Sequence, residues 1–269
     1  MALVPVIWGV ALMSVLAVSF LWTGNTSQHL ARNGFDAAEI EAVAEAAIHR
    51  AALGLLEPTA DKRWRVDGFP YDFRFDGWPM QVRIQDELGR IDLNFTDAPM
   101  LISLFQSAGL DFQAASSLVD KVLDWRDTSP FKRLNGAKDK DYRDAGYAYR
   151  PRNGAFQSLD ELQLVMGMTA DLFRRVEPAL TIYSGRQFFD PQVAPREALL
   201  ALPSMDETKV AALIAARPQM LLSALPLNGR AFAVSARMQR EGKIIKREAV
   251  IRMRDDPVKP FWILSWKSR

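Results

Sequence analysis

The spacing of hydrophobic residues changes along the chain, and each change indicates a different kind of element. Residues 2–22 are almost wholly apolar, and no charged side chain precedes Arg32. A helix of about 20 apolar residues is long enough to cross the roughly 30 Å hydrocarbon core of a bilayer. The pattern therefore predicts a membrane-spanning helix at the N-terminus.

The helical pattern continues beyond this apolar block. Apolar residues recur at spacings of three and four, and the acidic residues lie mostly off their stripe. The stripe consists of Ile40, Val43, Ala44, Ala47, Ile48, Ala51 and Leu55. One long helix, part in the membrane and part outside, is the simplest interpretation. The alternative is a plain single-pass anchor followed by an amphipathic connector.

Alternating patterns at two places predict β-strands. Between residues 63 and 94, Tyr71, Phe73 and Phe75 alternate with Asp72, Arg74 and Asp76, and Met80, Val82 and Ile84 follow. After residue 230 the alternation returns, with a turn predicted at Glu241 and Gly242. The residues predicted to share one face there are Phe232, Val234, Ala236, Met238, Ala249, Ile251 and Met253.

The residues between the two strand regions have a helical pattern. Asp97 and Asp111 precede helical runs, and Ser158 and Glu161 have the spacing of a capping box. A helix, then strands, then helices, then strands again describe an α+β domain that is interrupted by an all-helical part.

A weak repeat lies within the helical region. Leu162, Val165, Met168 and Phe173 recur 37 residues later as Leu199, Leu202, Met205 and Val210. Each copy is predicted to be helix, tight turn, helix, an arrangement that can bind DNA phosphates through turn amides backed by basic side chains. The nearby basic residues are Arg174, Arg175, Lys209 and Arg217, and Ser204 replaces the second glycine. Structural packing is the favoured interpretation.

Composition limits the chemistry that this chain can perform. It has no cysteine, and its only histidines are His29 and His49, so residues 50–269 contain no imidazole for a triad, a zinc site or a general base. Asp86 and Glu87 remain as a carboxylate pair for an anchored enzyme, but adjacent strand residues point to opposite faces. A formal net charge of +2 is too small to imply a nucleic-acid partner. A non-enzyme is therefore favoured.

Three segments together resemble a known family. They are "GVALMSVLAV" (residues 9–18), "DELGRIDLN" (86–94) with "VLDWRD" (122–127), and "YRPRNGAFQSLDELQLVMGM" (149–168) with its sequel "LPSM". In this order and spacing they resemble the type II secretion system protein K family, the large minor pseudopilins.

The resemblance implies an α+β fold: an N-terminal transmembrane helix and a pilin-like α/β domain interrupted by a large all-α insertion domain of helix-hairpin-helix or SAM-like type. The implied division is a prepilin-type leader at 1–9, a transmembrane helix at 10–30, the pilin-like helix and first strands at 31–95, the insertion at 96–226, and the C-terminal strands at 227–269.

The resemblance also implies a role. The protein would stand at the tip of the pseudopilus, initiate its assembly and support protein export across the outer membrane, without catalysis. It would be a single-pass inner-membrane protein with its globular part in the periplasm. Its partners would be minor pseudopilins of the protein I and protein J types, prepilin peptidase, the inner membrane and secreted substrates, with no nucleic acid expected. The alternative is a DNA-binding pilus-tip protein of a competence-like system.

At the N-terminus, the resemblance implies that prepilin peptidase cleaves between Gly9 and Val10. Ordinary pilin-like subunits have a glutamate at the fifth mature residue, which can pair with a neighbour's free N-terminal amine. Counting from Val10, that position is Ser14. A subunit without the carboxylate suits the end of a filament. The leader also carries no Lys or Arg, unlike the family's leaders.

Family relatives bind calcium in the loop after the "DWRD"-like segment. Here the resemblance suggests Asp124, Asp127, Asp139 and Asp141 as calcium ligands. Carboxylates in a glycine-containing loop suit an ion that takes six to eight oxygens. Lys138 replaces an acidic residue of the family loop, and Lys140 adds a second positive charge. The alternative is a solvated loop in which the aspartates only stabilise turns and helix ends.

Overall fold

The computed structural model of the chain describes residues 3–59, 61–220, 226–240 and 243–268, and at residues 5, 15–33, 218–220, 240 and 243 it describes the backbone alone. The chain divides into two compact units, residues 1–47 and 48–269. Helix α1 (Leu3–Leu55) forms the first unit and begins the second. The predicted turn at Glu241 and Gly242 lies outside the described residues.

The second unit then contains both strands and helices. In chain order they are β1 (Asp67–Phe75), β2 (Trp78–Asp86), β3 (Ile91–Asp92), α2 (Ala98–Ser107), α3 (Phe112–Arg126), α4 (Asp139–Asp144), α5 (Ala170–Val176), β4 (Leu180–Thr181), α6 (Arg196–Leu200), α7 (Glu207–Met220), β5 (Ala231–Arg240), β6 (Lys243–Met253) and β7 (Phe261–Ser268). Short 3₁₀ helices lie at Glu87–Gly89, Leu159–Leu164 and Glu177–Ala179.

The end of α1 packs through small side chains and one aromatic ring. Ile48, Ala51 and Leu55, from the predicted apolar stripe, are buried. Trp64 lies so close to Gly54 that a Cβ there would be 2.5 Å from the indole ring. The same ring stacks on Tyr71 of β1, with centroids 4.2 Å apart. Within the second unit, the last turn of α1 is therefore joined to the first strand.

Five strands form one antiparallel sheet in the order β1-β2-β5-β6-β7. Across the central pair, Val82 lies opposite Ala236 and Ile84 lies opposite Val234. The residues predicted to share a face in β5 and β6 are all buried, which confirms that prediction: Phe232, Val234, Ala236, Met238, Ala249, Ile251 and Met253. The sheet thus combines two strands from the beginning of the second unit with three strands from its end.

One strand end was predicted one residue too late. Asp76 was placed on the polar face of a strand, but β1 ends at Phe75 and Asp76 lies in the turn. Asp76 and Gly77 both have positive φ, 47° and 79°. Two such central residues give the tight turn whose twist suits a hairpin, so β1 and β2 follow each other directly.

The described residues between β2 and β5 form helices α2 to α7 around a separate apolar core. This core includes Leu101, Leu104, Phe105, Leu118, Val122, Leu162, Phe173, Leu180 and Leu199. The chain before α2 lies beside the chain that follows α5, because β3 pairs in parallel with β4, Ile91 opposite Leu180. We call residues 92–220 the helical segment. The mixed α and β class is confirmed, whereas the domain boundaries stay predictions.

Two of the three predicted helix starts have the expected caps. The Asp97 carboxylate accepts a hydrogen bond from the Met100 N–H, and Asp111 accepts one from Ala114. The capping box at Ser158 is wrong. Ser158 makes no side-chain cap to the 3₁₀ helix that follows it, because the Glu161 carboxylate is turned towards Arg152 and the backbone N–H of residue 157.

Within the described residues, no helix is both long enough and apolar enough to cross a bilayer. The side chains of residues 15–33, on which most of the predicted transmembrane helix at 10–30 rests, lie outside the description. That residues 10–30 cross a membrane stays a prediction.

Candidate functional site: the aspartate loop

Residues 124–141, here called the aspartate loop, carry the four side chains predicted as calcium ligands. The loop begins in the last turn of α3 and ends in the first turn of α4. Helix α3 ends at Arg126 because Asp127 has extended backbone angles, φ −91° and ψ 129°. The carbonyl oxygens of that last turn have no helical amide to pair with, so they need partners from elsewhere.

Asp124 is the innermost member of the loop. Its side chain is fully buried, and its two oxygens lie 3.4 and 3.1 Å from the backbone nitrogen of Arg133. Burial raises the pKa of the carboxyl, and the Arg133 N–H and the Lys138 ammonium oppose that rise. A Cβ on Gly136 would be 1.8 Å from Asp124 Oδ2, so only glycine leaves room for the carboxylate.

Asp127 and Asp139 point to different partners. Asp127 Oδ1 accepts a hydrogen bond from the Ser129 N–H at 2.9 Å, and its Oδ2 lies 3.6 Å from the Arg133 guanidinium. Asp139 Oδ1 accepts a hydrogen bond from the Asn153 side-chain amide at 3.0 Å. Asp127 therefore stabilises the turn at Ser129, and Asp139 holds the side chain of Asn153 in the segment that follows α4.

Asp141 caps the start of α4. One of its oxygens accepts from the Lys138 backbone N–H at 2.9 Å, and the other accepts from the Lys132 ammonium at 2.6 Å. The Lys132 ammonium and the Lys138 N–H together lower the pKa of Asp141. All four predicted ligands thus have partners that belong to the protein.

The Lys138 side chain runs back to the end of α3. Its ammonium nitrogen lies 2.7 Å from the Asp124 carbonyl oxygen, 2.8 Å from the Asp127 carbonyl oxygen and 3.4 Å from Asn153 Oδ1. The Asp124 carbonyl is one of those that the helix end leaves open, and the Asp127 carbonyl belongs to the residue that follows the helix. A positive charge at this place is also favoured by the partial negative charge of a helix C-terminus.

As they stand, these residues do not fit a calcium site. The described residues contain no group of three or more Asp, Glu, His or Cys side chains that could hold a metal ion. The carboxylates of Asp124, Asp127, Asp139 and Asp141 do not converge on one point. The oxygens that do converge are carbonyl and amide oxygens, and an ammonium group lies among them.

Aromatic side chains hold both ends of the loop. The Trp125 ring is stacked on Phe156, with centroids 6.1 Å apart, and lies 6.0 Å from Tyr142 at the other end. The Tyr142 hydroxyl accepts a hydrogen bond from the Met166 N–H at 2.8 Å, and burial raises its pKa to about 12. The loop is therefore fixed to the chain that follows it.

Two polar side chains that the sequence did not single out fix the residues that follow β3, Arg126 from the loop and Asn94 from those residues themselves. The Arg126 guanidinium donates to the carbonyl oxygens of Leu93 and Thr96, the latter at 2.6 Å. The Asn94 amide exchanges two hydrogen bonds with the Phe156 backbone, at 3.0 and 2.7 Å. Both residues lie in the motifs "DELGRIDLN" and "VLDWRD". Their place in these two motifs was the only feature of the sequence that pointed to them.

The internal repeat appears in the backbone as well as in the sequence. Gly167 and Ser204 stand at equivalent places in the two turns and both have positive φ, 93° and 62°. Thr169 caps α5 by accepting from Leu172, and Asp206 makes the matching bond with Lys209 N–H. The two copies therefore share turn conformation and capping.

The basic residues near these turns are engaged within the protein. Arg174 and Arg175 pair with Asp171 on their own helix. The Lys209 ammonium donates to the Ser204 carbonyl oxygen at 2.6 Å. Arg217 is 2% exposed and donates to two backbone carbonyls. This arrangement favours structural packing over phosphate binding.

Asp86 and Glu87, the predicted carboxylate pair, are both fully buried. Asp86 pairs with Arg230, accepts from the Leu88 N–H and caps the 3₁₀ helix. Glu87 pairs with Arg90 at 3.0 Å. Burial raises the pKa of both carboxyls, and the paired arginines oppose it. The first ion pair joins the end of β2 to the residue before β5, and the second lies within the connection between β2 and β3.

The predicted processing site lies within α1. Gly9, Val10 and Ser14 are exposed, and a Cβ on Gly9 would meet nothing within 4 Å. The Ser14 hydroxyl donates to the Val10 carbonyl oxygen at 2.8 Å, four residues earlier. Such a bond satisfies the hydroxyl inside its own helix. Cleavage after Gly9 and the role of Ser14 stay predictions.

The fold and the loop thus define a mixed α+β protein whose helical segment is held by caps and buried ion pairs. Residues 92–185 match the family model described as type II secretion system (T2SS), protein K. This match, which covers β3 to the residues after β4, includes the whole aspartate loop. The resemblance inferred from the three sequence segments is confirmed.

Two curated relatives carry the same name. A type II secretion system protein K of Pectobacterium carotovorum subsp. carotovorum is 29% identical over 126 residues, which are 44% of this chain and 38% of the relative. One of Pseudomonas aeruginosa is 30% identical over 113 residues, 38% of this chain and 34% of the relative. The matches therefore span little more than a third of either relative's length.

A solved structure extends the likeness in fold. A chain of the GspK-GspI-GspJ complex from the type 2 secretion system of enterotoxigenic Escherichia coli matches with a TM-score of 0.65 and 15% identity. The match covers 88% of this chain and 98% of that chain. At this identity the comparison shows a shared fold.

Proposed function

We propose that this protein is a minor pseudopilin of a type II secretion system, acting at the pseudopilus tip to initiate assembly and support export across the outer membrane. The match of residues 92–185 to the protein K family carries this proposal. The shared fold over 98% of a solved chain supports it. The proposed role is structural, because the buried carboxylates at Asp86 and Glu87 are ion-paired and have no access to a substrate.

Its proposed partners are minor pseudopilins of the protein I and protein J types. The matching solved structure is a complex of K, I and J proteins, and this chain shares the fold of one of its members. We also propose prepilin peptidase as a processing enzyme and secreted proteins as transient contacts. The proposed location is the inner membrane, with a single span at residues 10–30 and the remainder in the periplasm.

N-terminal sequencing of the protein extracted from membranes tests directly whether it is a pseudopilin that prepilin peptidase processes. The full chain is produced in cells with and without a prepilin peptidase, together with I- and J-type subunits. We expect a mature chain that begins at Val10 only when the peptidase is present, and recovery of the K, I and J proteins together in detergent. An unprocessed chain that recovers neither partner would contradict the proposal.

Ser14 provides a second test, aimed at the tip position. A glutamate at this place could pair with a neighbouring N-terminal amine, while an unpaired carboxylate at the centre of a bilayer costs about 2.5–3.5 kcal/mol. We expect Ser14→Glu to disturb tip placement and lower secretion. Ser14→Ala is the matched control, because it removes only the hydroxyl bond within the helix. Equal secretion by both variants would argue against a terminal position set by Ser14.

A further inference from the structure

We propose that the aspartate loop carries its own cation: the Lys138 ammonium lies at the point where carbonyl and amide oxygens of the loop and of Asn153 converge, and it makes the order of the loop independent of calcium. This inference concerns the loop itself and does not depend on the proposed function. It follows from the disagreement between the family's calcium chemistry and the oxygens that the structure brings together.

The first support is the match between donors and acceptors. A lysine ammonium has three N–H donors and no acceptor. Around Lys138 Nζ there are three oxygens, at 2.7, 2.8 and 3.4 Å, from Asp124, Asp127 and Asn153. Each oxygen can therefore accept one N–H. The Asn153 side chain is itself held in place, because its amide nitrogen donates to Asp139.

The second support is charge. The ammonium lies beyond the last turn of α3, where open carbonyls give a partial negative charge. The buried Asp124 carboxylate is close enough for Lys138 to stabilise its charged form, and the Arg133 guanidinium lies 3.6 Å from both Asp124 and Asp127. Two cationic side chains thus balance the two carboxylates at this end of the loop.

The consequence is that a divalent ion would have to expel the ammonium. Calcium takes six to eight oxygen ligands at about 2.3–2.6 Å, which would require the same carbonyls and the rotation of several paired carboxylates. Asp141 would have to leave Lys132, and Asp127 would have to leave the Ser129 N–H. The Lys138 ammonium already donates to these carbonyls, and it is part of the chain and does not have to be bound from solution.

Lysine footprinting tests this on the unaltered protein. The full chain in detergent is treated with an amine-reactive acetylating reagent, and modification is followed by mass spectrometry in about 5 mM calcium, above the range of extracellular calcium modules, and in chelator. Lys140, which is two residues away and 80% exposed, is the internal reference. We expect Lys138 to react at least about tenfold more slowly than Lys140, because three oxygens hold its part-buried ammonium, whereas the exposed Lys140 ammonium has one partner, the exposed Asp144.

The rate at Lys138 should be the same with calcium and with chelator. Faster modification of Lys138 in calcium would show that the ion displaces the ammonium, and equal rates at Lys138 and Lys140 would show that the ammonium is free. Either result overturns the proposal. No variant has to fold for this test.

Thermal unfolding gives an independent readout. We expect the melting temperature of the unaltered chain to be equal in calcium and in chelator. Lys138→Met should lower it by about 4 °C or more, because three oxygens lose a charged donor. Lys140→Met, which removes the same charge from an exposed i,i+4 pair, should change it by less than about 2 °C. Calcium-dependent melting of the unaltered chain, or equal melting of the two variants, would refute the inference.

Discussion

Replacing Gly89 with alanine tests how the sheet is joined to the helical segment. Gly89 ends the 3₁₀ helix after β2 and lies against the chain before α6. A Cβ at this position would be 2.4 Å from the Val193 carbonyl oxygen and 2.8 Å from the Ala194 nitrogen. Both are backbone atoms, which cannot rotate away as a side chain can. Reaching ordinary contact at about 3.5 Å therefore requires the two segments to separate by about 1 Å.

The size of the effect follows from the bonds that this separation would strain. Gln85 donates to the Val193 carbonyl oxygen at 2.6 Å, and Arg217 donates to the Ala194 carbonyl oxygen at 2.5 Å. Overpacking costs about 1–3 kcal/mol, and weakening two buried hydrogen bonds adds about 1–2 kcal/mol. Alanine also lowers the conformational entropy of the unfolded chain, which offsets about 0.4–1 kcal/mol of this loss. We expect Gly89→Ala to lower the free energy of unfolding by about 2–4 kcal/mol.

The assay is thermal and urea unfolding of the full chain in detergent. A loss of this size corresponds to a fall in melting temperature of about 5–10 °C. Gly154→Ala is the matched control, because its Cβ would meet only Arg152 Cγ at 3.8 Å, an ordinary contact. The control should lie within about 0.5 kcal/mol of the unaltered protein. Equal stability of the two variants would refute the close approach at Gly89.

Three further predictions concern the helical segment. Ser204 has φ 62°, so Ser204→Val should lower the free energy of unfolding by about 1–2 kcal/mol, whereas Ser204→Gly should not lower it; the reverse order in urea unfolding would contradict the turn. Glu161 has a lowered pKa, since its bonds with Arg152 and with a backbone N–H outweigh desolvation, which raises it. Its stabilising effect is therefore present above the unfolded pKa of about 4.3 and is lost as the pH falls through the lower folded value. Glu161→Gln should cost about 1 kcal/mol at pH 7 and much less in acid, once the Glu161 carboxyl is protonated in the folded chain, and a difference that does not change with pH would count against the ion pair. Arg217→Met should cost about 2–4 kcal/mol, because it leaves two buried carbonyls and the buried Asp67 without this donor, and a variant as stable as the unaltered chain in urea would show that the guanidinium is dispensable.

Features that depend on nearby residues were predictable from the sequence. Alternation placed Phe232 and Ile251 on the buried face of their strands, because the side-chain period of a strand is two. Asp97 and Asp111 were recognised as caps because the bonded N–H lies three residues further along. The capping box at Ser158 failed because Arg152, from outside the motif, competes for the Glu161 carboxylate.

The chemistry of the aspartate loop could not be predicted in the same way. The family resemblance pointed to a cation site among these carboxylates, and a cationic group, the Lys138 ammonium, does lie at the end of α3. The oxygens around it belong mainly to the backbone, however, and sequence patterns do not show which carbonyls a helix end leaves open or where they face. Nor could Lys138 be matched to Asn153, because the two meet only after the chain has turned through α4.

The buried charges at the start of the helical segment have a specific consequence for the fold. Asp86 pairs with Arg230, the residue before β5, and Arg217 on α7 reaches both Asp67 on β1 and the carbonyls before α6. A buried ion pair adds little net stability over apolar side chains of similar volume, but separating its partners leaves a buried charge unpaired and costs several kcal/mol, on the order of 3–5. Any other docking of the helical segment on the sheet would separate Arg217 from Asp67, and any other pairing of the strands would separate Asp86 from Arg230. We therefore expect them to select one arrangement of strands and helices more than they raise stability, with Gly89 allowing the two backbones to come close enough for the pairs to form.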